Sequence, residues 1–173
     1  MRIAISGKSG CGNTTVSTKL AQKLNYKLIN FTFRNLAKEK GVEFWDFCKM
    51  AEEDDSFDIE LDNRQVKMAM DEENCVLGSR LAIWMLKEAD LKVYLYASDE
   101  ERAQRVYKRE GGSFTTRLEQ TQMRDKNDTN RYQRIYSIDN NKYDFVDLVV
   151  DTDNKSPDEI VDIIVKKVNE ISQ

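Results

Sequence analysis

Nine residues near the N-terminus, Gly7-Lys8-Ser9-Gly10-Cys11-Gly12-Asn13-Thr14-Thr15, have the types and spacing to hold a polyphosphate. Glycines at the first and sixth positions let backbone N–H groups wrap an anion, and a hydroxyl at the eighth suits Mg²⁺. Gly7, Gly12 and Thr14 meet those requirements, while Gly10, Cys11 and Thr15 would add further donors around the phosphates. The strict pattern has lysine at the seventh position, and here that position is Asn13, which donates hydrogen bonds but carries no charge. Lys8 is the cation within the loop and the candidate to replace it. The same glycines could equally make a tight strand-to-helix turn with no ligand. A dinucleotide fingerprint fits less well, because Gly7, Gly10 and Gly12 are spaced three then two, the reverse of GxGxxG.

The second chemical signal is arginine. The stretch from Arg102 to Arg134 holds seven of the eleven arginines but two of the sixteen lysines. Guanidinium forks match phosphate oxygens bidentately, so this excess points to anion recognition. Arg117, Arg124 and Arg131 recur every seven residues with Asp128 between the last two, and a helix would put all four on one face. Arg109 precedes Gly111-Gly112, a pair suited to a hinge. Arg102 and Arg105 read equally well as an exposed ion-paired face, with Glu101 and Arg105 as one (i, i+4) pair. Two isolated arginines also stand out: Arg34, beside Phe33 at a helix start, and Arg80, just beyond a strand's C-terminal end, where α/β sheets place ligands.

The chain of 173 residues contains no histidine, which removes Ser-His and Cys-His pairs and histidine-ligated metals. Cys11, Cys48 and Cys75 are odd in number and widely spaced, so no disulfide framework or zinc knuckle is expected. A formal charge of −4 gives no general field for nucleic acid or anionic lipid. The first apolar run ends at Ile5, and no window approaches the ~18 apolar residues of a membrane span. A cytoplasmic protein, monomeric and acting on small molecules, is the expectation.

Positioning these groups falls to alternating short apolar runs and longer segments at helical spacing, the pattern of an α/β parallel sheet flanked by crossover helices. Strands are expected at Ile3–Ser6, Lys27–Asn30, Cys75–Gly78, Leu91–Ala97 and Val146–Val150. Helices are expected from the loop to Leu24, then at Phe33–Lys40, Glu43–Glu53, Ile59–Glu72 and around Trp84. Another opens at Ser98, a long polar one runs Phe114–Arg134, and a final one starts at the capping box Ser156-Pro157-Asp158-Glu159. One domain, 1–173, is expected.

These motifs together with Phe33-Arg34, Leu61-Asp62-Asn63-Arg64-Gln65, Gly78-Ser79-Arg80-Leu81-Ala82, the run Arg124-Asp125-Lys126-Asn127-Asp128-Thr129-Asn130-Arg131-Tyr132 and Ile135-Tyr136-Ser137-Ile138-Asp139 make the chain resemble cytidylate kinases, especially the short archaeal type. The resemblance spans nearly the whole length. It implies a P-loop nucleoside monophosphate kinase fold with a helical monophosphate-binding insertion, about 32–72, and a short lid, about 109–134. It implies ATP and Mg²⁺, with Thr14 on the metal, and CMP or dCMP as acceptor. By position, Arg34 and Arg80 would hold the acceptor's α-phosphate, Asp128 and Arg131 would help bind the cytidylate, and Gln65 and Trp84 would line its pocket. Arg109, Arg117 and Arg124 would be lid residues facing ATP, and Lys8, Asn13, Arg124 and Arg131 the groups nearest the transfer. The lysine after the first loop glycine is also similar in position to the signature lysine of deviant Walker A ATPases. Two other readings stay open: a sensor that binds nucleotide without transfer, favoured by Asn13, and a kinase of another small acceptor.

Overall fold

The computed structural model describes residues 1–172, with Trp45 described by its backbone. The order is β1 (Arg2–Gly7), α1 (Asn13–Leu24), β2 (Lys27–Ile29), α2 (Phe33–Glu39), α3 (Phe44–Glu53), α4 (Ser56–Met70), β3 (Cys75–Gly78), α5 (Ala82–Met85), β4 (Leu91–Tyr96), α6 (Asp99–Glu110), α7 (Phe114–Tyr136), β5 (Leu148–Asp151) and α8 (Pro157–Ile171). The five strands form one parallel sheet in the order β2-β3-β1-β4-β5, with Ile5 in register with Gly78 on one side and Val93 on the other.

β1 is central, so Ile3, Ala4 and Ile5 are buried on both faces and show no polar alternation. On one face Ile3, Ile5, Val93 and Leu95 pack against Val16 and Leu20 of α1 and Ile160, Ile164 and Val168 of α8. On the other, Ala4, Leu77 and Tyr94 meet Ile83 and Leu86 around α5. The helices α2 to α4, inserted between β2 and β3, have a core of their own in Phe31, Leu36 and Phe47, joined by Phe33 and Phe57. The expected capping box closes: Glu159 N–H donates to Ser156 Oγ at 3.2 Å and Ser156 N–H to Glu159 Oε2 at 2.7 Å. Among the described residues no helix is long and apolar enough to cross a membrane.

Three of the boundaries that differ from the sequence-based expectation bear on packing or on the site. The last strand is Leu148–Asp151, because Leu148 is the residue in register with Val93, while Val146 turns into the core around α5. The long helix continues to Tyr136 and ends on a left-handed Ser137. Most relevant to function, α4 begins at Ser56 rather than Ile59. Asp54 lies just before it, its Oδ1 accepting from Ser56 N–H at 2.8 Å, so Ser56, Phe57 and Asp58 add most of a turn ahead of Ile59. That early start puts Asp55, Asp58 and Asp62 on one helical face.

Candidate active site

The loop between β1 and α1 takes the conformation its glycines permit. Gly10 has φ 84° and Gly12 φ 94°, left-handed values that cost a side-chain-bearing residue. Gly12 is the N-cap of α1, so the free N–H groups of the first turn open directly beyond the loop. A cavity of about 470 Å³ lies there, walled by the loop with Thr14 and Thr15 and by Arg80, Arg105, Arg109 and Arg124.

Asn13 does not imitate a lysine. Its Nδ2 donates back to the Gly7 carbonyl at 2.8 Å, and its Oδ1 is buried without a hydrogen-bond partner. The side chain braces the loop across its own mouth. Lys8 reaches sideways, its Nζ 3.9 Å from Asp125 Oδ2 on α7.

Two arginines read as possible surface residues are instead the loop's supports. Arg102 is fully buried. It donates to the Ser9 carbonyl at 3.1 Å, forks onto Asp125 at 3.0 and 2.5 Å, and reaches Asp99 at 2.6 Å. Burial works against that charge, but the Asp125 carboxylate and then Asp99 more than offset it, holding the guanidinium firmly protonated. Arg105 donates to the Gly10 carbonyl at 3.2 Å and to the Thr152 carbonyl at 2.8 Å. It also makes the expected pair with Glu101, at 3.1 Å. A Cβ placed on Gly10 would sit 3.1 Å from Arg102 Cβ, so loop and brace are packed together.

A second cavity, about 610 Å³, opens between the helical insertion and α7. Phe33, Cys48 and Ala51 give it an apolar wall, and Asp58, Asp128 and Arg131 a charged one. Arg124 lines both cavities. It makes no ion pair among the described residues. Partial burial first, and Arg80 second, push its pKa below the usual arginine value, which marks two guanidinium groups facing one space. Arg80 is anchored at 2.6 Å to Asp128 Oδ2, and Arg131 Nη2 lies 3.5 Å from Asp128 Oδ1. Asp128 thus ties one arginine beyond β3 to another on α7.

Four expected site residues, Arg34, Gln65, Trp84 and Arg117, line neither of these two cavities. Arg34 is exposed and stacks over the Phe44 ring, 3.9 Å from its centroid, and it is not among the residues lining either cavity. Gln65 donates to the Phe31 carbonyl at 2.8 Å, pinning α4 to the end of β2. Trp84 packs edge-on against Tyr94 and Phe145, and lines a small crevice with Lys8 and Arg80. Arg109 borders the loop cavity while paired to Glu110 at 2.6 Å. Arg117 turns back to the Gly111 carbonyl at 3.0 Å and to Gln120 at 2.8 Å, so it clamps the glycine hinge rather than facing the loop.

The sequence reading missed the acidic face of α4. Asp55 accepts two bonds from Arg134, at 2.6 and 3.1 Å. Asp62 accepts from Tyr136 Oη at 2.5 Å. Asp58 faces Arg131 at 3.8 Å. Their spacing of three and four was visible, but it carries meaning only once the helix is known to start at Ser56.

Comparison with known proteins agrees with this geometry. The family model for the cytidylate kinase-like family matches residues 2–154. A cytidylate kinase 2 from Borreliella burgdorferi is 46% identical over 168 residues, covering 95% of this chain and 93% of that relative. An archaeal cytidylate kinase, from Archaeoglobus fulgidus, is 39% identical over 170 residues, covering 97% and 94%. Among solved structures, the shikimate kinase from Acinetobacter baumannii in complex with shikimate aligns with a TM-score of 0.64 at 17% identity, covering 98% of this chain and 93% of that one. The deoxyadenosine kinase from M. mycoides with bound dATP gives 0.59 at 20% identity, covering 98% and 100%. Those two likenesses show the fold, a P-loop kinase sheet; identity along nearly the full length shows more, and the chain belongs to the cytidylate kinase-like family of phosphotransferases.

Proposed function

We propose that this chain transfers the γ-phosphoryl group of ATP to CMP or dCMP, giving ADP and CDP or dCDP, as a cytoplasmic monomer acting on small nucleotides. One observation carries the reading: a glycine loop at a helix N-terminus opens into a cavity that meets a second, arginine-walled cavity at Arg124. Two phosphate-bearing molecules placed head to head across Arg124 are the arrangement that phosphoryl transfer needs.

In this reading Gly7, Gly10, Gly12, Thr14 and Thr15 cradle the donor phosphates through backbone N–H groups, while Cys11, whose N–H donates to the Lys8 carbonyl at 3.1 Å, shapes the loop. The Thr14 hydroxyl fits a metal role, because it is a hard oxygen on a residue of the cavity wall. Mg²⁺ held there by Thr14 would supply charge neutralisation for the donor phosphates. Arg80 and Arg34 take the acceptor phosphate, with Arg34 swinging in from its Phe44 stack as the insertion (about 32–72) closes. Arg124 spans donor and acceptor, stabilising charge spread over the moving group without a covalent intermediate or a histidine base. Asp128 and Arg131 help hold the cytidylate, Asp128 by fixing Arg80, while Gln65 and Trp84 support the pocket. Arg109 and Arg117 belong to the lid, about 109–134, hinged at Gly111-Gly112, and its closure excludes water and limits ATP hydrolysis. Lys8 supplies the cation that Asn13 lacks.

A second reading, a sensor that binds nucleotide without transfer, draws on Asn13, whose amide is engaged by Gly7. Coupled ADP production with Mg-ATP and each of CMP, dCMP, UMP, AMP and GMP, against an ATP-only blank, separates the two. Turnover confined to CMP and dCMP is expected. No turnover above the blank, with CMP still bound in a calorimeter, would establish the sensor.

A further inference from the structure

If the acceptor is a cytosine nucleotide, some group in the second cavity has to tell cytosine from uracil. The two bases differ at C4 and N3. Cytosine offers an amino donor at C4 and a lone pair at N3; uracil offers a carbonyl at C4 and an N–H at N3. A site that prefers cytosine therefore needs an acceptor facing C4 and a donor facing the N3 and O2 edge, a pairing that a carboxylate and a guanidinium provide.

Of the cavity's carboxylates, three are poorly suited. Asp128 is held on both oxygens by Arg80 and Arg131. Asp55 is held on both by Arg134. Glu52 is exposed, so water already satisfies it. Asp58 differs from all three. It is 7% exposed, lines the cavity, and receives no hydrogen bond among the described residues, its nearest cation being Arg131 at 3.8 Å. Burial without a donor pushes its pKa up, Arg131 pulls it down, and Asp55 and Asp128 push it up again. An N–H brought to this carboxylate relieves a cost the free protein carries. Arg131 holds the complementary deficit, since its Nε is buried with no acceptor.

We propose that Asp58 is the residue that selects cytosine, its carboxylate accepting a hydrogen of the C4 amino group while Arg131 donates to the N3 and O2 edge. Phe33, on the apolar wall, gives the base a face to lie against. Uracil in the same place would set its C4 carbonyl against the carboxylate, lone pair against lone pair, which rejects it by repulsion as well as by a missing bond. The assignment rests on the cytidylate reading of the site, and deepens it.

The test compares kcat/KM for CMP, dCMP and UMP in the wild type, Asp58→Asn and Asp58→Ala, with calorimetric Kd values for CMP and UMP alongside. The ratio of CMP to UMP should fall at least tenfold in Asp58→Ala, with dCMP following CMP and with UMP unchanged or improved. Asp58→Asn keeps the shape, so it reports the same loss of preference should the alanine variant fold poorly. Equal losses for CMP and UMP would place Asp58 on the ribose, the phosphate or the fold and overturn the proposal. So would a wild type that binds CMP no better than UMP. A wild type that binds CMP selectively but transfers nothing would end the kinase reading alone, and the Kd ratio would still decide the role of Asp58.

Discussion

On α6, Arg102 and Arg105 direct their terminal guanidinium nitrogens at loop carbonyls and fixed protein acceptors, whereas on α7, Arg124 makes no ion pair among the described residues and Arg131 reaches Asp128 and Asp58 only at 3.5 and 3.8 Å. The four lie within one stretch of chain and are chemically identical. What separates them is how far the protein has satisfied them. A buried guanidinium whose terminal nitrogens end on protein acceptors is a brace, and its stability comes from those paired charges. One left facing a cavity beside a second guanidinium is held at a cost that only an anionic ligand removes. Engagement of the terminal guanidinium nitrogens by close protein acceptors, then, distinguishes structural from ligand-binding arginine here better than sequence position does.

The sharpest way to break the contrast is at its most buried member. Arg102→Ala should cost about 3–5 kcal/mol in urea unfolding, because it strands Asp125 inside and releases the Ser9 carbonyl. A loss under about 1 kcal/mol would show that the network does not hold the loop. Arg124→Ala should do the reverse. Transfer should fall about 100- to 1000-fold, the size of effect seen when a preorganised electrostatic donor is removed, while stability changes by less than about 0.5 kcal/mol. Parallel losses of stability and activity would make Arg124 another brace.

Lys8 lies between these cases, half engaged by Asp125 at 3.9 Å. Lys8→Ala should reduce kcat about 10- to 100-fold with little change in KM for the acceptor, as expected when a cation acts mainly in the transition state. Wild-type turnover in that variant would remove Lys8 from the mechanism. Asn13→Lys sharpens the same point. A gain in rate would show that Asn13 weakens the site, and a loss that Lys8 already fills the space.

The fold was legible wherever one physical signal was local and strong. β1 and its loop, the capping box of α8 and the Ser98 cap of α6 follow from residues within one turn of each other. The Glu101–Arg105 pair was legible for the same reason. The start of α4 was not, because it follows the polar run 52–56 and is set by the turn at Asp54 rather than by an apolar period. Its acidic face stayed hidden with it. Nor could the sequence show that Arg102 is buried, since that depends on α7 crossing α6 so that Asp125 arrives from 23 residues away. At the site, the loop was readable from its glycines. The direction of Asn13, bent back on Gly7, and the turn of Arg117 toward its hinge are choices among rotamers that only the packed structure makes.

The smallest effect should come from Asp62, which ties α4 to the end of α7 through Tyr136 Oη. Burial pushes its carboxyl up to about 6, against the pull of the tyrosine hydrogen bond, with Asp58 adding to the rise and Arg131 opposing it. The folded state therefore binds this proton more tightly than the unfolded chain, whose aspartates titrate near 3.8. Between those values the native state holds more protons than the unfolded one, so this contribution to stability is full below pH 3.8 and is lost as the pH rises through 6. Elsewhere the sign reverses. Asp55 is held below the usual carboxylate range chiefly by its bond from Arg134, and its contribution is lost on acidification. The difference between wild type and Asp62→Asn isolates one from the other, because the amide keeps an acceptor for Tyr136 and removes the charge. Asp62→Asn should gain on the wild type by on the order of 1 kcal/mol between pH 4 and pH 7, discounted for a residue that is only half-buried. Urea midpoints at the two pH values measure it, and a difference that stays constant or shrinks toward pH 7 would mean that Asp62 is ionised at little cost and that its tie to Tyr136 is an ordinary surface contact.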